Sequence, residues 1–385
     1  MMAIRLLLAG RALFSRSRNQ TPLDPAAIAC ILACEVTRLG DVLNTIAALR
    51  HLRTVFSRAR LLTIVDERYA PLLEACDTGV EFVGVSGSDT RVGLLAAIRT
   101  ARRYRPDLAL SLSPARRNVV IALASGAPKV VGYLHALHHH AQHLHTFPVE
   151  AEGFALAQPG EYRSEHIERR SLHVAEALTG TPAPPDRRIS LRTEARWHAL
   201  GVLREHVQLL DSPFVVIHPF AGWPYREWPQ EHFVTVANAL LNSTTCRLVY
   251  LGAKSEQRSL GSLAERTDLS GRVSTFPSHD FVLTAALLEK AEVFIGSDSG
   301  PLHLAALLGT PVIGLFGPST PALTAPITPG GVFLYEPVPC SPCTQETCLQ
   351  PHDHCMRRIS PEAVIAAANR LLAMPRSQRK AAYVQ

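Results

Sequence analysis

The stretch from Ala291 to Pro321, AEVFIGSDSGPLHLAALLGTPVIGLFGPSTP, constrains the fold more than any other part of the chain. The apolar run Val293 to Ile295 ends at Gly296, as a buried strand does, and Pro301 stands where a helix accepts proline in its first turn. The helix at 302–308 stops at Gly309, and a second strand at 312–316 follows at once. The unit is therefore strand, turn, helix, strand, with both strands in one parallel sheet. The N-terminus of its helix turns N–H groups and the positive end of the dipole toward the loop, so Ser299 and the Gly300 backbone can hold a diphosphate without a metal. Such corners occur throughout α/β proteins, and most bind nothing. Ser297, Asp298 and Ser299 lie together in a loop where packing needs none of them, which marks this corner as a binding loop. His303, one turn into the helix, faces either the site or the core.

The same rhythm runs through the chain. Apolar runs of strand length fall at 26–34, 61–65, 80–85, 108–112 and 129–131, with helical patterns at 42–52, 70–75, 92–104 and 116–124 between them. That alternation predicts a doubly wound parallel sheet. A helix over 164–178 leads into Thr181-Pro182-Ala183-Pro184-Pro185, the clearest linker, after which strands recur at 214–218, 247–251, 272–275, 293–295 and 312–316. A chain of 385 residues suits two such domains. The expected division is a basic extension over 1–24, a first Rossmann-like domain over 25–180, a linker region over 181–212, a second Rossmann-like domain over 213–360, and a closing helix within 361–385 that packs back on the first domain. In an α/β fold of two Rossmann-like domains facing across a cleft, the loops after Cys34, His218, Leu251 and Ile295 converge on that cleft.

Charge is distributed unevenly. Residues 1–150 hold 18 Lys and Arg against 11 Asp and Glu, so the whole excess behind the net charge of +6 is N-terminal. Such a field favours an anionic partner on that half. No interleaving of basic and aromatic residues suggests a nucleic-acid module. No apolar run reaches the roughly 20 residues of a membrane span. The opening MMAIRLLLAGRALFSRSR reads as a basic amphipathic helix: either a loose hold on an anionic membrane surface or a frayed extension.

Three patches give the chain a family likeness. Arg38-Leu39-Gly40-Asp41-Val42 follows the first strand; the run His218 to Pro229, HPFAGWPYREWP, follows the sixth; and Gly296 to Ala306, GSDSGPLHLAA, forms the corner described above. In this order they resemble the signatures of glycosyltransferase family 9, the ADP-heptose:lipopolysaccharide heptosyltransferases, and the cysteine-rich loop over 340–355 resembles that of heptosyltransferase-II-like members. The resemblance implies a GT-B fold, an acceptor domain followed by a nucleotide-sugar domain, and inverting transfer with no obligatory cofactor or metal. The implied donor is ADP-heptose and the implied acceptor an anionic glycolipid, the lipid A–core precursor. The implied location is the cytoplasm, peripheral on the inner membrane surface. Inverting transfer needs a base for the acceptor hydroxyl and positive groups where the leaving diphosphate gathers charge.

Asp41 suits the base, and it would also serve as an N-cap of the helix at 42–52. Arg226, where the family often has lysine, keeps the charge with a bidentate fork for the diphosphate. Ser297, Asp298, Ser299, Gly300 and His303 complete the donor loop. After the strand ending at Leu251 the family offers an acid to the ribose; here Lys254 precedes Ser255 and Glu256, and Glu256 is the candidate. Two other readings keep the fold: a nucleotide-sugar epimerase, which needs no acceptor, and an inactive sugar-nucleotide-binding relative.

Cys340-Ser341-Pro342-Cys343, Cys348 and Cys355 match a zinc knuckle only in part of their spacing, so they read either as a loop of free thiols or as ligands of a structural zinc, and no metal is expected at the transfer site. Cys30, Cys34, Cys76 and Cys246 read as small buried hydrophobes, and free thiols are expected. The histidines His135, His138, His139, His140, His143 and His145 fit no tetrahedral set and read as a surface loop.

Overall fold

The computed structural model describes residues 23–87, 90–113, 115–132, 165–184, 187–206, 212–267, 271–343, 347–375 and 378. Residues 1–22 of the basic extension and the histidine run lie outside them. The chain divides into two compact units, the first ending at Arg187 and the second beginning at Arg188.

The first unit carries a five-stranded sheet, all of whose pairings are parallel: β1 (Cys30–Glu35), β2 (Arg60–Asp66), β3 (Glu81–Val85), β4 (Leu108–Ser111) and β5 (Lys129–Gly132), in the order β3-β2-β1-β4-β5. β1 is buried along almost its whole length, which is why it reads as an unbroken apolar run rather than an alternating one. On one face Leu32, Cys34, Leu62 and Ile64 pack with Ala97 and Ala101 of α4 (Arg91–Arg103) and Val119 and Ala122 of α5 (Arg116–Ala124).

The single helix expected over 42–52 is two helices, α1 (Leu39–Leu43) and α2 (Ile46–Val55). Asn44 Nδ2 and Thr45 Oγ1 bond back to the carbonyls of Gly40 and Val42, at 2.9 and 2.7 Å, and offer the backbone an alternative to continuing the helix. In this unit α3 (Ala70–Ala75) follows β2, and the last helix, α6 (Ile167–Thr179), packs on α2 and stops at Gly180, whose left-handed φ of 67° closes the final turn.

The second unit starts inside the expected linker region. Leu191 N and Arg196 bind the Glu289 carboxylate at 2.8 to 3.1 Å, which fixes α7 (Thr193–His206) on α10 (Phe281–Lys290). The sheet comprises β6 (Phe214–His218), β7 (Arg247–Gly252), β8 (Val273–Pro277), β9 (Val293–Ser297), β10 (Val312–Phe316) and β11 (Gly331–Tyr335), in the order β11-β10-β9-β6-β7-β8. The sequence pattern does not foresee β11, an edge strand whose five residues are all half-buried. The other helices of the unit are α8 (Gln230–Ser243), α9 (Gln257–Thr267), α11 (Gly300–Leu307), α12 (Pro321–Thr324) and α13 (Pro361–Ala373). The buried residues of α13, Val364, Ala367, Ala368 and Leu371, belong to the second unit's core, with Phe233 and Leu240 of α8.

Strand order reverses between β1 and β4 in the first unit and between β6 and β9 in the second. In open parallel sheets the crevice beyond the strand ends at such a point is the usual ligand site. Among the described residues no helix is long and apolar enough to cross a membrane.

Candidate active site

In the second unit, the ends of β6 and β9 meet at the reversal. His218 pairs with Gly296 across the two strands, and a Cβ on Gly296 would stand 2.8 Å from the His218 carbonyl, so glycine is required for this approach. His218 accepts the Phe220 N–H on Nδ1, which places the ring proton on Nε2, and burial pushes its pKa down to about 4.

Asp298 follows β9 and is 5% exposed. Arg226 Nη1 lies 3.5 Å from its Oδ2 and His303 Nε2 3.5 Å from its Oδ1, while Ser319 and Thr324 hydroxyls donate to Oδ2 at 2.6 and 3.3 Å. Burial pushes this carboxyl up, but the His303 hydrogen bond and charge, the Arg226 charge and the Ser319 bond outweigh it, and the net pKa falls below the usual carboxylate value. The structure thus brings together Arg226, Asp298 and His303, the last buried on α11 against the Asp298 carboxylate.

Two hydroxyls in this corner are buried without a hydrogen-bond partner, Ser297 Oγ and Ser299 Oγ. Ser299 is the N-cap of α11, yet its side chain caps nothing, and Gly300 is the first residue of the helix. Buried hydroxyls are normally satisfied, so a pair left open beside an uncapped helix start and an arginine is the arrangement of an anion site.

The loop bearing Arg226 is held from behind. Residues 224–226 form one 3₁₀ turn, and the adjacent Trp228, 1% exposed, donates its indole N–H to the Ile359 carbonyl at 3.0 Å and packs edge-on to Phe233. Glu256, after β7, turns back on its own loop, where Oε2 accepts the Ala253 N–H at 2.7 Å. Glu227, half-buried, has its pKa raised by burial, opposed by the Ala221 hydrogen bond and reinforced by the Glu256 charge, so an acidic pair stands near the β7 end.

In the first unit, Asp41 is the third residue of α1, and Arg38 takes the N-cap position. Asp41 is thus not the N-cap. It lies in the first turn, where the dipole favours a carboxylate. Beneath it Glu35, at the end of β1, is fully buried and bound to Leu112, Ser113 and Asn118. Burial raises its pKa to about 8 against those hydrogen bonds, with a further push from the Asp41 charge.

Cys340, Cys343, Cys348 and Cys355 line one cavity of about 370 Å³ with Tyr225 and His354. Among the described residues no group of three His, Cys, Asp or Glu is placed to hold a metal ion. None of the eight cysteines forms a disulfide; Cys34 and Cys76 are buried as expected, whereas Cys30 and Cys246 are only half-buried.

The residues that sequence reasoning missed are partners rather than ligands: Glu35, Ser113, Asn118, Ser319 and Thr324. A glutamate closing an apolar strand was the one visible signal among them.

Known proteins share this architecture. A glycosyltransferase family 9 from Veillonella parvula DSM 2008 superimposes with a TM-score of 0.71 at 22% identity, over 89% of this chain and 97% of that one. The Escherichia coli ADP-heptose LPS heptosyltransferase II gives 0.69 at 17% identity, over 89% and 98%. In sequence, lipopolysaccharide heptosyltransferase 1 of Pseudomonas aeruginosa is 22% identical over 374 residues, 91% of this chain and 99% of that protein. Two Rossmann-like parallel-sheet units, of five and six strands, define a GT-B fold. The family model of glycosyltransferase family 9 (heptosyltransferase) matches residues 95–354, and this chain belongs to that family.

Proposed function

We propose that the enzyme transfers heptose from ADP-heptose to the lipopolysaccharide inner core with inversion at the anomeric carbon. The observation that carries this reading is the pair of unpartnered hydroxyls, Ser297 Oγ and Ser299 Oγ, at the start of α11 beside the Arg226–Asp298 pair. The names of the relatives supply the sugar and the acceptor.

In this mechanism Asp41 takes the proton of the acceptor hydroxyl as its oxygen forms the bond to the anomeric carbon, and the bond from that carbon to the diphosphate breaks. The departing ADP gathers charge on oxygens met by Arg226, the Ser299 hydroxyl and the Gly300 N–H. Asp298 acts by holding Arg226 and His303 in place. Ser297 supplies a further hydroxyl, and Glu256 keeps one carboxylate oxygen for the ribose. No metal is required, because arginine and the helix start supply the positive charge. The basic excess of residues 1–150 suits a phosphorylated glycolipid presented at the cytoplasmic face of the inner membrane.

The test is transfer by the purified chain from ADP-heptose to a heptose-free core acceptor, with ADP release and the anomeric configuration of the product as readouts. Inversion is expected, and Asp41→Asn should lower kcat by roughly 10²- to 10⁴-fold, the range of general-base catalysis. Transfer only from UDP- or GDP-sugars would remove the donor assignment, and a fully active Asp41→Asn would remove the base.

A further inference from the structure

The first unit's reversal point is filled by its own side chains. Glu35 Oε1 accepts the N–H groups of Leu112 and Ser113 at 2.8 and 3.1 Å, and Oε2 contacts Ser113 Oγ at 2.8 Å and Asn118 Nδ2 at 3.1 Å. Asn118 also donates to Ser113 Oγ at 2.9 Å and accepts the Val36 N–H on Oδ1 at 2.9 Å. Glu35 and Asn118 are 0% exposed. Three elements are thus joined: the end of β1, the turn after β4 and the first turns of α5.

We infer that Glu35 is a positioning residue for Asp41, a buried clamp that fixes where α1 presents the base. This rests on the reading of Asp41 as the base. Packing alone does not explain the clamp, since an aliphatic side chain would fill a buried strand end with no carboxyl to desolvate. α1 has only five residues, too few to hold their own conformation, so Asp41 stands where the segments on either side of it are fixed. On the far side the Ser171 hydroxyl shares its proton between the Asn44 carbonyl at 2.9 Å and the Glu168 carbonyl of its own helix at 2.8 Å. On the near side only Val36, Thr37 and Arg38 separate Glu35 from α1, and Val36 is itself bonded to Asn118. The charge of Asp41 is felt at Glu35, which places both carboxyls in one local field.

The chemistry of the clamp selects the variant. Asn118 is oriented by Val36, so its Nδ2 faces Glu35 as a donor. Glutamine can keep its oxygen on Leu112 and Ser113, but its amide NH₂ then meets the Asn118 NH₂, and one strut is lost without a cavity.

The experiment compares Glu35→Gln, Asn118→Ala and their double variant by kcat with ADP-heptose and a heptose-free core acceptor, and by calorimetric affinity for ADP. Asp41→Asn runs in parallel. Each single variant should lose about 10- to 100-fold in kcat, the scale of a misplacement near 1 Å, with ADP affinity within twofold of wild type. The double variant should be no slower than the slower single variant, because both cut the same clamp. Wild-type kcat in folded Glu35→Gln, multiplying losses in the double variant, or a parallel fall in ADP affinity would each overturn the inference. Should Glu35→Gln not fold, Ser113→Ala, which removes one hydroxyl, replaces it: a kcat loss of several-fold at constant ADP affinity supports the clamp and no loss refutes it. An active Asp41→Asn would instead overturn the base assignment, whatever Glu35→Gln does.

Discussion

The two reversal points are built on the same strand order and treated in opposite ways. Between β1 and β4 the crevice is closed by Glu35, Ser113 and Asn118, whose polar atoms satisfy one another. Between β6 and β9 the strand ends carry Ser297 and Ser299, whose hydroxyls are buried with no partner, next to a carboxylate ringed by Arg226, His303, Ser319 and Thr324. At the first corner the polar atoms of the clamp are spent on one another and a hydroxyl, Thr37 Oγ1, stays open, whereas the second sets two open hydroxyls around a carboxylate that meets a guanidinium. The comparison teaches that sheet topology marks two candidate pockets and that the hydrogen-bond inventory tells them apart.

The largest effect that should separate the two corners is the response of stability to pH. Glu35 titrates near 4.5 when unfolded and about 8 when folded, so between those values the unfolded chain has released a proton that the folded one keeps. Stability therefore falls as pH rises from about 4.5 to about 8 and levels off above. His218 takes up its proton near 6.5 when unfolded and only about 4 when folded, so its contribution falls as pH drops through that window. Each shift is worth a few kcal/mol at roughly 1.4 kcal/mol per pKa unit. Hydrogen exchange at the amides of Ile31 to Cys34 and of Val215 to Ile217, corrected for intrinsic rate, should show the opposite slopes. Glu35→Gln should flatten the first and His218→Asn the second, and slopes untouched by these variants would show that other groups govern both corners.

How much of this was legible before the fold was known depends on where each signal lies along the chain. The corner at 293–316 was readable because its strand, turn, helix and strand are contiguous, and local pattern reports local structure. Arg226 was readable from its motif, but its contact with Asp298 joins positions 72 residues apart and has no local signature. Glu35 and Asn118 are 83 positions apart, so the clamp appears only once β1 and β4 are neighbours. The split of helix 42–52 was hidden because Asn44 and Thr45 are tolerated inside a helix and interrupt it only through their side-chain bonds. α7 was hidden in the linker region because the Pro-rich run at 181–185 masks the helical pattern of the residues beyond it. The closing helix had a readable apolar face, but pattern does not say which core that face joins.

A smaller effect tests the open corner from its charged side. Arg226→Ala removes the fork and should weaken ADP binding by about 10- to 100-fold, or roughly 1.4 to 2.7 kcal/mol, as measured by calorimetry. Arg226→Lys keeps a point charge without the fork and should fall between. Glu35→Gln serves as the control from the closed corner, with ADP affinity unchanged. If Arg226→Ala bound ADP as tightly as wild type, the phosphates would be held elsewhere and the contrast would lose its functional meaning.

The smallest effect tests the open hydroxyls themselves. A buried, unpartnered hydroxyl costs on the order of 1 kcal/mol, so Ser299→Ala should raise the melting temperature of the ligand-free protein slightly while lowering ADP affinity several-fold. Ser297→Ala, at a fully buried position, should do the same with a smaller loss of affinity. The closed corner has its own orphan, Thr37 Oγ1, which supplies the control: Thr37→Val should raise stability by a similar amount and leave ADP affinity alone. If Ser299→Ala lowered stability and left ADP affinity intact, its hydroxyl would be serving the fold rather than the ligand, and the two crevices would differ in packing and not in purpose.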